Sequence, residues 1–345
     1  MATIDFLEKL PEKERDKAKK KGLPEWIKPM LATLTDDPFT DPAWLFERKL
    51  DGERSLAFVE SARKVRLLSR NRKSLNVSYP EIVDALADQT PADCILDGEI
   101  VAFNADKVSD FQRLQPRMQA SDAEEARNSR IAVYYYIFDC VYLDGYDLAQ
   151  CSLRSRKQLL KAAIDWQDPL RWTAHRNAEG FDYYRQACRK GWEGLIAKQA
   201  DSAYVHSRSR KWLKFKCVKR QEFVIGGFTE PEGERIGFGA LLLGFYRNDS
   251  LVYAGRVGTG FDDQTLKDLH GRLSRIERKT SPYGQGNPEG QDVHFVTPRL
   301  VCEVEFTEWT ADDKLRHPRF KGLRRDKRAK DVHREEASAT TLAGD

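Results

Sequence analysis

Long hydrophobic runs are missing from this sequence. No stretch of eighteen apolar residues occurs among its 345 positions, which leaves no segment suited to spanning a bilayer as a helix. The N-terminus is charged where a signal peptide would be apolar, so we expect a cytoplasmic protein with no membrane partner. Metal-binding spacings are absent too. Cys94, Cys140, Cys151, Cys188, Cys217 and Cys302 form no CxxC pair, and the histidines form no HExxH. Structural zinc is therefore not expected, and the cysteines read as reduced core thiols. Gly237-Phe238-Gly239 and Gly258-Thr259-Gly260 each fall short of GxGxxG between strand and helix, so neither reads as a dinucleotide loop.

Charge is present, and unevenly placed. The net charge is only +4, yet Val205 to Arg220 holds seven Lys or Arg residues and no acid, and Lys314 to Lys330 holds nine against Asp326 alone. Such stretches suit a polyanion, whose counterions are released on binding. Solvated faces look the same, so composition alone leaves both readings open. The length allows two domains with substantial cores.

Residues 4–22, rich in Lys and Glu, read as an exposed helix within a basic N-terminal helical extension, 1–28. Strands follow at 44–50, 54–60 and 65–69, a helix at 79–88 beginning beside Pro80, and a strand at 95–103. Short helices are expected within 104–130, an aromatic strand at 131–142, and helices at 153–165 and 178–190. In the strand at 95–103, Asp97, Glu99 and Val101 share one face. Acids inside an apolar strand are unfavourable unless paired or bound to a metal, which makes Glu99 a candidate ligand. Trp212-Leu213-Lys214-Phe215-Lys216 alternates strictly, and its two lysines on one face repel unless an anion lies between them. After Arg220, strands at 223–228, 240–246, 251–257 and 299–306 with a helix at 262–276 suggest an oligonucleotide-binding β-barrel. Residues 331–345 read as a disordered tail.

One stretch organises the rest. Glu47-Arg48-Lys49-Leu50-Asp51-Gly52-Glu53-Arg54 lies between the apolar runs 43–46 and 55–59 and reads as strand, tight turn, strand. Gly52 permits a sharp turn or a close approach, and Arg54 offers a planar fork suited to phosphate oxygens. Lys49 would then face a bound phosphate. With a lysine pKa of roughly 10.4, only on the order of one amine in a thousand is neutral near neutral pH. Neighbouring cations, a metal or desolvation must lower that value before the amine can attack.

Taken in order, these segments resemble the motifs of covalent nucleotidyltransferases, most closely of ATP-dependent DNA ligases and, among them, the ligase modules of bacterial end-joining enzymes. The resemblance covers roughly residues 25 to 330. It rests on Lys49 with Asp51, Gly52 and Arg54; Ser69-Arg70-Asn71; Asp97-Gly98-Glu99; Phe138-Asp139; Glu193-Gly194 with Lys198; Trp212 with Lys214 and Lys216; and Arg324 with Asp326 and Lys327. Arg72 stands where many relatives carry glycine, and Tyr204-Val205-His206 departs from the commonest pattern before Arg208. The fold implied is α+β: an adenylation domain of antiparallel sheets and flanking helices over 29–220, then a C-terminal OB-fold β-barrel over 221–330.

The resemblance implies ATP-dependent sealing of nicked double-stranded DNA by a monomer in the bacterial cytoplasm or nucleoid, alone or with end-joining or repair proteins. Lys49 would be the nucleophile. Glu47 would read the adenine amino group, directly or through its backbone, and Phe138 stack on the ring. Arg54 and Arg70 would hold ribose or phosphate, Arg208 would help bind the nucleotide, and Lys214 and Lys216 would meet the α-phosphate and favour the neutral amine of Lys49. Glu99 would contact the ribose or a metal, and Glu99 and Glu193 would hold magnesium, or manganese in its place. Arg324 and Lys327 would contact the outer phosphates, the second domain swinging about Lys219-Arg220-Gln221. Other classes share parts of the pattern. A capping-type guanylyltransferase would prefer GTP, an RNA ligase would take RNA, and an NAD-dependent ligase carries an upstream module for which 48 residues leave little room. A non-catalytic DNA-binding protein would have lost Lys49, Glu99, Glu193, Lys214 or Lys216.

Overall fold

The computed structural model describes residues 6–60, 64–217, 219–231, 233–288 and 292–335. The chain divides into two compact units, with the boundary at Cys217 and Val218. The principal elements of the first unit are β1 (Leu31–Leu34), β2 (Trp44–Lys49), β3 (Glu53–Glu60), β4 (Lys64–Ser69), α1 (Pro80–Gln89), β5 (Cys94–Val101), β6 (Tyr134–Leu143), α2 (Leu153–Ala163), β7 (His175–Asn177), α3 (Gly180–Arg189), β8 (Gly194–Gln199) and β9 (Arg208–Lys216). Short helices at Phe111–Met118 and Ala123–Asn128 occupy the polar segment. Pro80 opens α1 where its missing N–H is harmless, and the Ser152 hydroxyl caps α2 by accepting from the Ser155 N–H.

Two sheets result. One has β6–β5–β3–β4 as its antiparallel centre, with Tyr146–Asp147 antiparallel and Leu170–Trp172 parallel to β6. The other runs β7–β2–β8–β9–β1, antiparallel except for the parallel pair β9–β1. Ala57, Val59, Leu67, Leu96 and Ile100 of the first sheet pack with Ile82 and Leu86 of α1 and Leu159 and Leu160 of α2. Phe46, Leu195, Ala197, Leu213 and Phe215 of the second pack with Phe39 and with Tyr183 and Ala187 of α3. Each Val, Leu, Ile or Phe side chain among them contributes on the order of 1.5–3 kcal/mol by leaving water. Because side chains alternate along a strand, burying this set turns Glu47, Lys49, Lys198, Lys214 and Lys216 to the opposite face of the second sheet.

The N-terminal segment differs from the expected exposed helix. Phe6–Lys9 is a 3-10 turn, Glu12–Arg15 is one helical turn, and Lys19–Lys20 adds a strand beside Tyr146–Asp147. Phe6 and Leu10 join the core, and the buried Glu14 carboxylate accepts from the Ser152 N–H at 2.7 Å. These tertiary anchors override the helical composition. The positions expected to form a helix at 4 and 5 lie outside the described residues.

The cysteines also need correcting. Cys94, Cys140, Cys151 and Cys302 are buried thiols, but Cys188 and Cys217 form a disulfide across 29 residues, with Cα atoms 5.1 Å apart. They meet because the end of α3 packs against the end of β9. In the loop-entropy account a link of that span is worth roughly 3–4 kcal/mol. Cys188→Ser is expected to lower stability by about that amount, read as a urea midpoint that falls in oxidised protein and stays put in protein kept reduced.

The second unit contains β10 (Lys219–Thr229), β11 (Leu241–Arg247), β12 (Ser250–Val257), α4 (Asp263–Ser274), β13 (Val293–Val296), β14 (Val301–Phe306) and β15 (Arg319–Arg324). β10, β11, β12, β14 and α4 match the elements expected, β13 and β15 are strands that were not expected, and the barrel does not form. β10 pairs with β14 along Lys219–Val224 and with β13 along Gly227–Thr229, with a register shift between Ile225 and Gly227 opposite β11. The shift sends β14 and β13 apart instead of round. Among the described residues β12 pairs only with β11 and an isolated bridge at Gln285, β15 pairs only with β14, and no sheet closes. The unit is an open sheet covered by α4, not an OB-fold. Lys219, Arg220 and Gln221, expected as a hinge, lie inside β10 opposite Phe306, Glu305 and Val304. The expected tail is packed at its start: Val332 is buried, and the Gln221 side chain bonds to the backbone of His333 and Glu335. Residues 336–345 lie outside the described residues.

Candidate active site

Lys49 ends β2, and its Nζ lies 2.5 Å from Glu193 Oε1. In register across the sheet, Lys49, Gly194 and Lys216 form one row, Glu47, Ile196 and Lys214 the next. Gly194 must be glycine: its φ is +149°, and a Cβ there would lie 1.8 Å from the Phe215 carbonyl oxygen. Gly52 serves close approach, because a Cβ would lie 2.1 Å from the Ile100 carbonyl oxygen of β5. Its neighbour Asp51 is buried, and its backbone N–H donates to the Ser109 hydroxyl at 3.0 Å.

The first sheet supplies the facing wall. Arg54 donates from Nε and Nη2 to Asp97 at 2.5 and 2.7 Å, and the Tyr204 hydroxyl donates to Asp97 at 2.6 Å. Glu99 lies opposite Arg54 in the ladder, half-buried, and its charge acts on Lys49. The Phe138 ring has the Arg54 guanidinium 4.5 Å and the Lys198 ammonium 4.0 Å from its centre, with Trp212 edge-on at 6.1 Å. Arg70 sits in the turn after β4, where Arg72 takes φ of +63°. That left-handed backbone is what glycine supplies more easily.

Glu47 is fully engaged. Lys157 approaches one carboxylate oxygen at 2.5 Å and Lys198 the other at 2.6 Å. Burial would raise its pKa, but the two ammonium groups hold it below the usual carboxylate range. One carboxylate can balance only one ammonium. Burial, with Lys157 alongside, brings Lys198 down to about 8 despite Glu47. An unfolded lysine keeps its proton to roughly 10.4, so between about 8 and that value the unfolded chain binds more protons and stability rises with pH. Wild-type protein is expected to gain in urea midpoint between these limits, and Lys198→Met to lose that gain.

Lys49 departs from expectation in this arrangement. Burial works to lower its pKa, but Glu193, with Glu99 and Asp51 behind it, outweighs burial and raises it. The depression expected from Lys214 and Lys216 is not seen here.

The remaining expected residues have partners of their own. Arg208 starts β9 on the exposed surface and donates to the Ala32 carbonyl. In the second unit Arg324 pairs with Asp326 and Glu303, and Lys327 with Glu222 at 2.9 Å. Lys157, which no motif marked, is the residue missed. Its signal was present: it lies on the apolar stripe of α2 with Leu153 and Leu160, where a lysine needs a buried partner.

Among the described residues no cluster of three or more His, Cys, Asp or Glu could enclose a metal. Glu99 and Glu193 nevertheless suit magnesium, which takes one or two carboxylates and keeps waters and phosphate oxygens.

Residues 29–216 match the ATP dependent DNA ligase domain, and 234–327 match the ATP dependent DNA ligase C terminal region. The chain belongs to the ATP-dependent DNA ligases. This ligase is 40% identical over 320 residues to the multifunctional non-homologous end joining protein LigD of Pseudomonas aeruginosa, covering 91% of this chain and 37% of that protein. It is 34% identical over 314 residues to the LigD DNA repair protein of Mycobacterium tuberculosis H37Rv, covering 90% and 40%. The ligase thus spans about two fifths of these curated relatives. A solved structure of mycobacterial DNA ligase D complexed with ATP and MES superposes with a TM-score of 0.65 at 32% identity, covering 90% of this chain and 98% of that one. Among the described residues no helix is long and apolar enough to cross a membrane.

Proposed function

We propose that this ligase seals nicks between a 5′-phosphate and a 3′-hydroxyl in double-stranded DNA at the expense of ATP, in DNA repair or end joining in the cytoplasm or nucleoid, and acts as a monomer. The observation that carries the reading is the single cleft face holding Lys49, Lys214 and Lys216, opposite Arg54, Glu99 and Phe138.

In this reading the neutral Lys49 amine displaces pyrophosphate from the α-phosphate of ATP to give a lysyl-AMP phosphoramidate. The 5′-phosphate oxygen then displaces Lys49 and takes the AMP. Finally the 3′-hydroxyl, losing its proton, attacks that phosphate and expels AMP. Each step exchanges one P–O or P–N bond for another, so catalysis is positioning and charge neutralisation. Lys214 and Lys216 meet the α-phosphate, Arg54 and Arg70 hold ribose or phosphate, and the adenine lies on Phe138 in place of the Lys198 ammonium, with Glu47 at its edge. Arg208 supports the same pocket. Arg324 and Lys327 exchange their carboxylates for the outer phosphates of ATP. Glu99 and Glu193 would hold magnesium, or manganese, which neutralises phosphate charge when bound.

The test is joining of an end-labelled nicked duplex, with ATP or GTP and with an all-DNA or all-RNA nick. ATP-dependent joining of the DNA nick is expected. Joining confined to RNA, or dependence on GTP, would contradict the reading.

A further inference from the structure

The machinery around Lys49 uses one face of β2. Arg48, the residue before it, points to the other face and has no part in the scheme above. Its guanidinium lies 4.4 Å from the centre of the Trp192 ring and 5.7 Å from that of Phe103. Two of its nitrogens, Nε and Nη2, are buried without a hydrogen-bond partner. Burial pulls its pKa below the ordinary arginine value, opposed only by Tyr136 and Tyr183. A buried guanidinium lacking an anion is unfavourable, so its retention one residue from the nucleophile calls for a ligand.

The surroundings indicate which kind. Phe103 lies 5.8 Å from Tyr134 and 5.9 Å from Tyr136. Arg171 stands 3.7 Å over Tyr134 and is tethered to Asp168 by two hydrogen bonds. At the other end Lys190 lies 5.3 Å from the Trp192 ring. Lys190 is exposed and the rest are half-buried. Cations and aromatic groups therefore alternate from Lys190 through Trp192, Arg48 and the Phe103–Tyr134 pair to Arg171. Single-stranded nucleic acid matches this alternation, since each unpaired base has a face to stack and each phosphate a charge. A duplex hides its base faces and gains nothing from the rings.

We propose that Arg48, between Phe103 and Trp192, seats a phosphate of an unpaired strand whose bases stack on Phe103, Tyr134 and Trp192. Nε and Nη2, now buried without a hydrogen-bond partner, would donate to that phosphate. The inference rests on the proposed action on DNA, of which the strand would be an unpaired end.

The test is fluorescence anisotropy of a labelled single-stranded oligodeoxynucleotide, beside a blunt duplex of equal length, with the full chain. Phe103→Leu and Trp192→Leu are each expected to weaken single-strand binding about tenfold and to leave duplex binding unchanged. Arg48→Gln is expected to flatten the slope of log affinity against log salt by about 0.7. Thermal melts check the fold, and Tyr134→Leu replaces Trp192→Leu if that variant melts early. Single-strand binding that is absent from the wild type, unchanged in the variants, or lost equally with duplex binding would overturn the assignment. Label transfer from ATP to wild-type protein is scored separately, so failure of the ligase reading and failure of the platform are told apart.

Discussion

Lys49→Ala is expected to reduce sealing of an ordinary nick by a factor on the order of 10⁴ or more, because the step it performs has no substitute nucleophile. Lys49→Arg distinguishes a nucleophile from a counter-ion. A guanidinium would keep the contact with Glu193, now 2.5 Å from Nζ, but with a pKa above roughly 12 it has no neutral form to attack phosphorus. Both variants should therefore be equally inactive on ATP and a plain nick. Both should still join a nick whose 5′-phosphate already carries AMP, since that step does not use the amine. A partly active Lys49→Arg would mean that the charge at this position matters and the nucleophilicity does not.

Asp139→Ala is expected to destabilise the first unit by about 3–5 kcal/mol. Asp139 and Arg156 are both fully buried, joined by bonds of 2.7 and 2.9 Å. Arg156 is further held by the Cys151 and Ser202 carbonyls at 2.6 and 3.0 Å. Burial favours a neutral Asp139, but Arg156 overcomes it and keeps the carboxyl below its usual range. Removing the acid strands the Arg156 guanidinium one residue along β6 from Phe138, so the loss should appear both in the melt and in nucleotide binding. For a unit of this size the melting temperature should fall by roughly 10 °C or more. Replacing both partners with apolar residues, Asp139→Leu with Arg156→Met, should recover most of it, because an ion pair swapped whole leaves no orphaned charge. A single variant that melts like wild type would remove this pair from the account.

The strands that carry the site were legible because burial of one face leaves a period of two in the sequence. The alternation of Trp212 to Lys216 survives in β9, with Lys214 and Lys216 on the side of Lys49. Local signals also located α1, α2 and α3 to within about two residues. What escaped depends on contacts far apart in the chain. Lys157 reaches Glu47 across 110 positions, and Cys188 meets Cys217 only once α3 lies against the second sheet. The barrel failed for the same reason: β10, β11, β12 and β14 were visible and β13 and β15 were not, but closure is a pairing between distant edges, and the bulge beside Gly226 sends them apart. The N-terminal helix failed because Glu14 prefers the start of α2 to solvent.

The account turns on a covalent bond between AMP and Lys49. Incubating the purified chain and Lys49→Ala with α-labelled ATP or GTP and magnesium, followed by denaturing electrophoresis and peptide mapping, reads it directly. Label from ATP that survives denaturation, maps to the peptide holding Lys49 and is absent from the variant is the expected result. Protein free of prior AMP that takes no label from ATP, or takes it at another residue, would contradict the account.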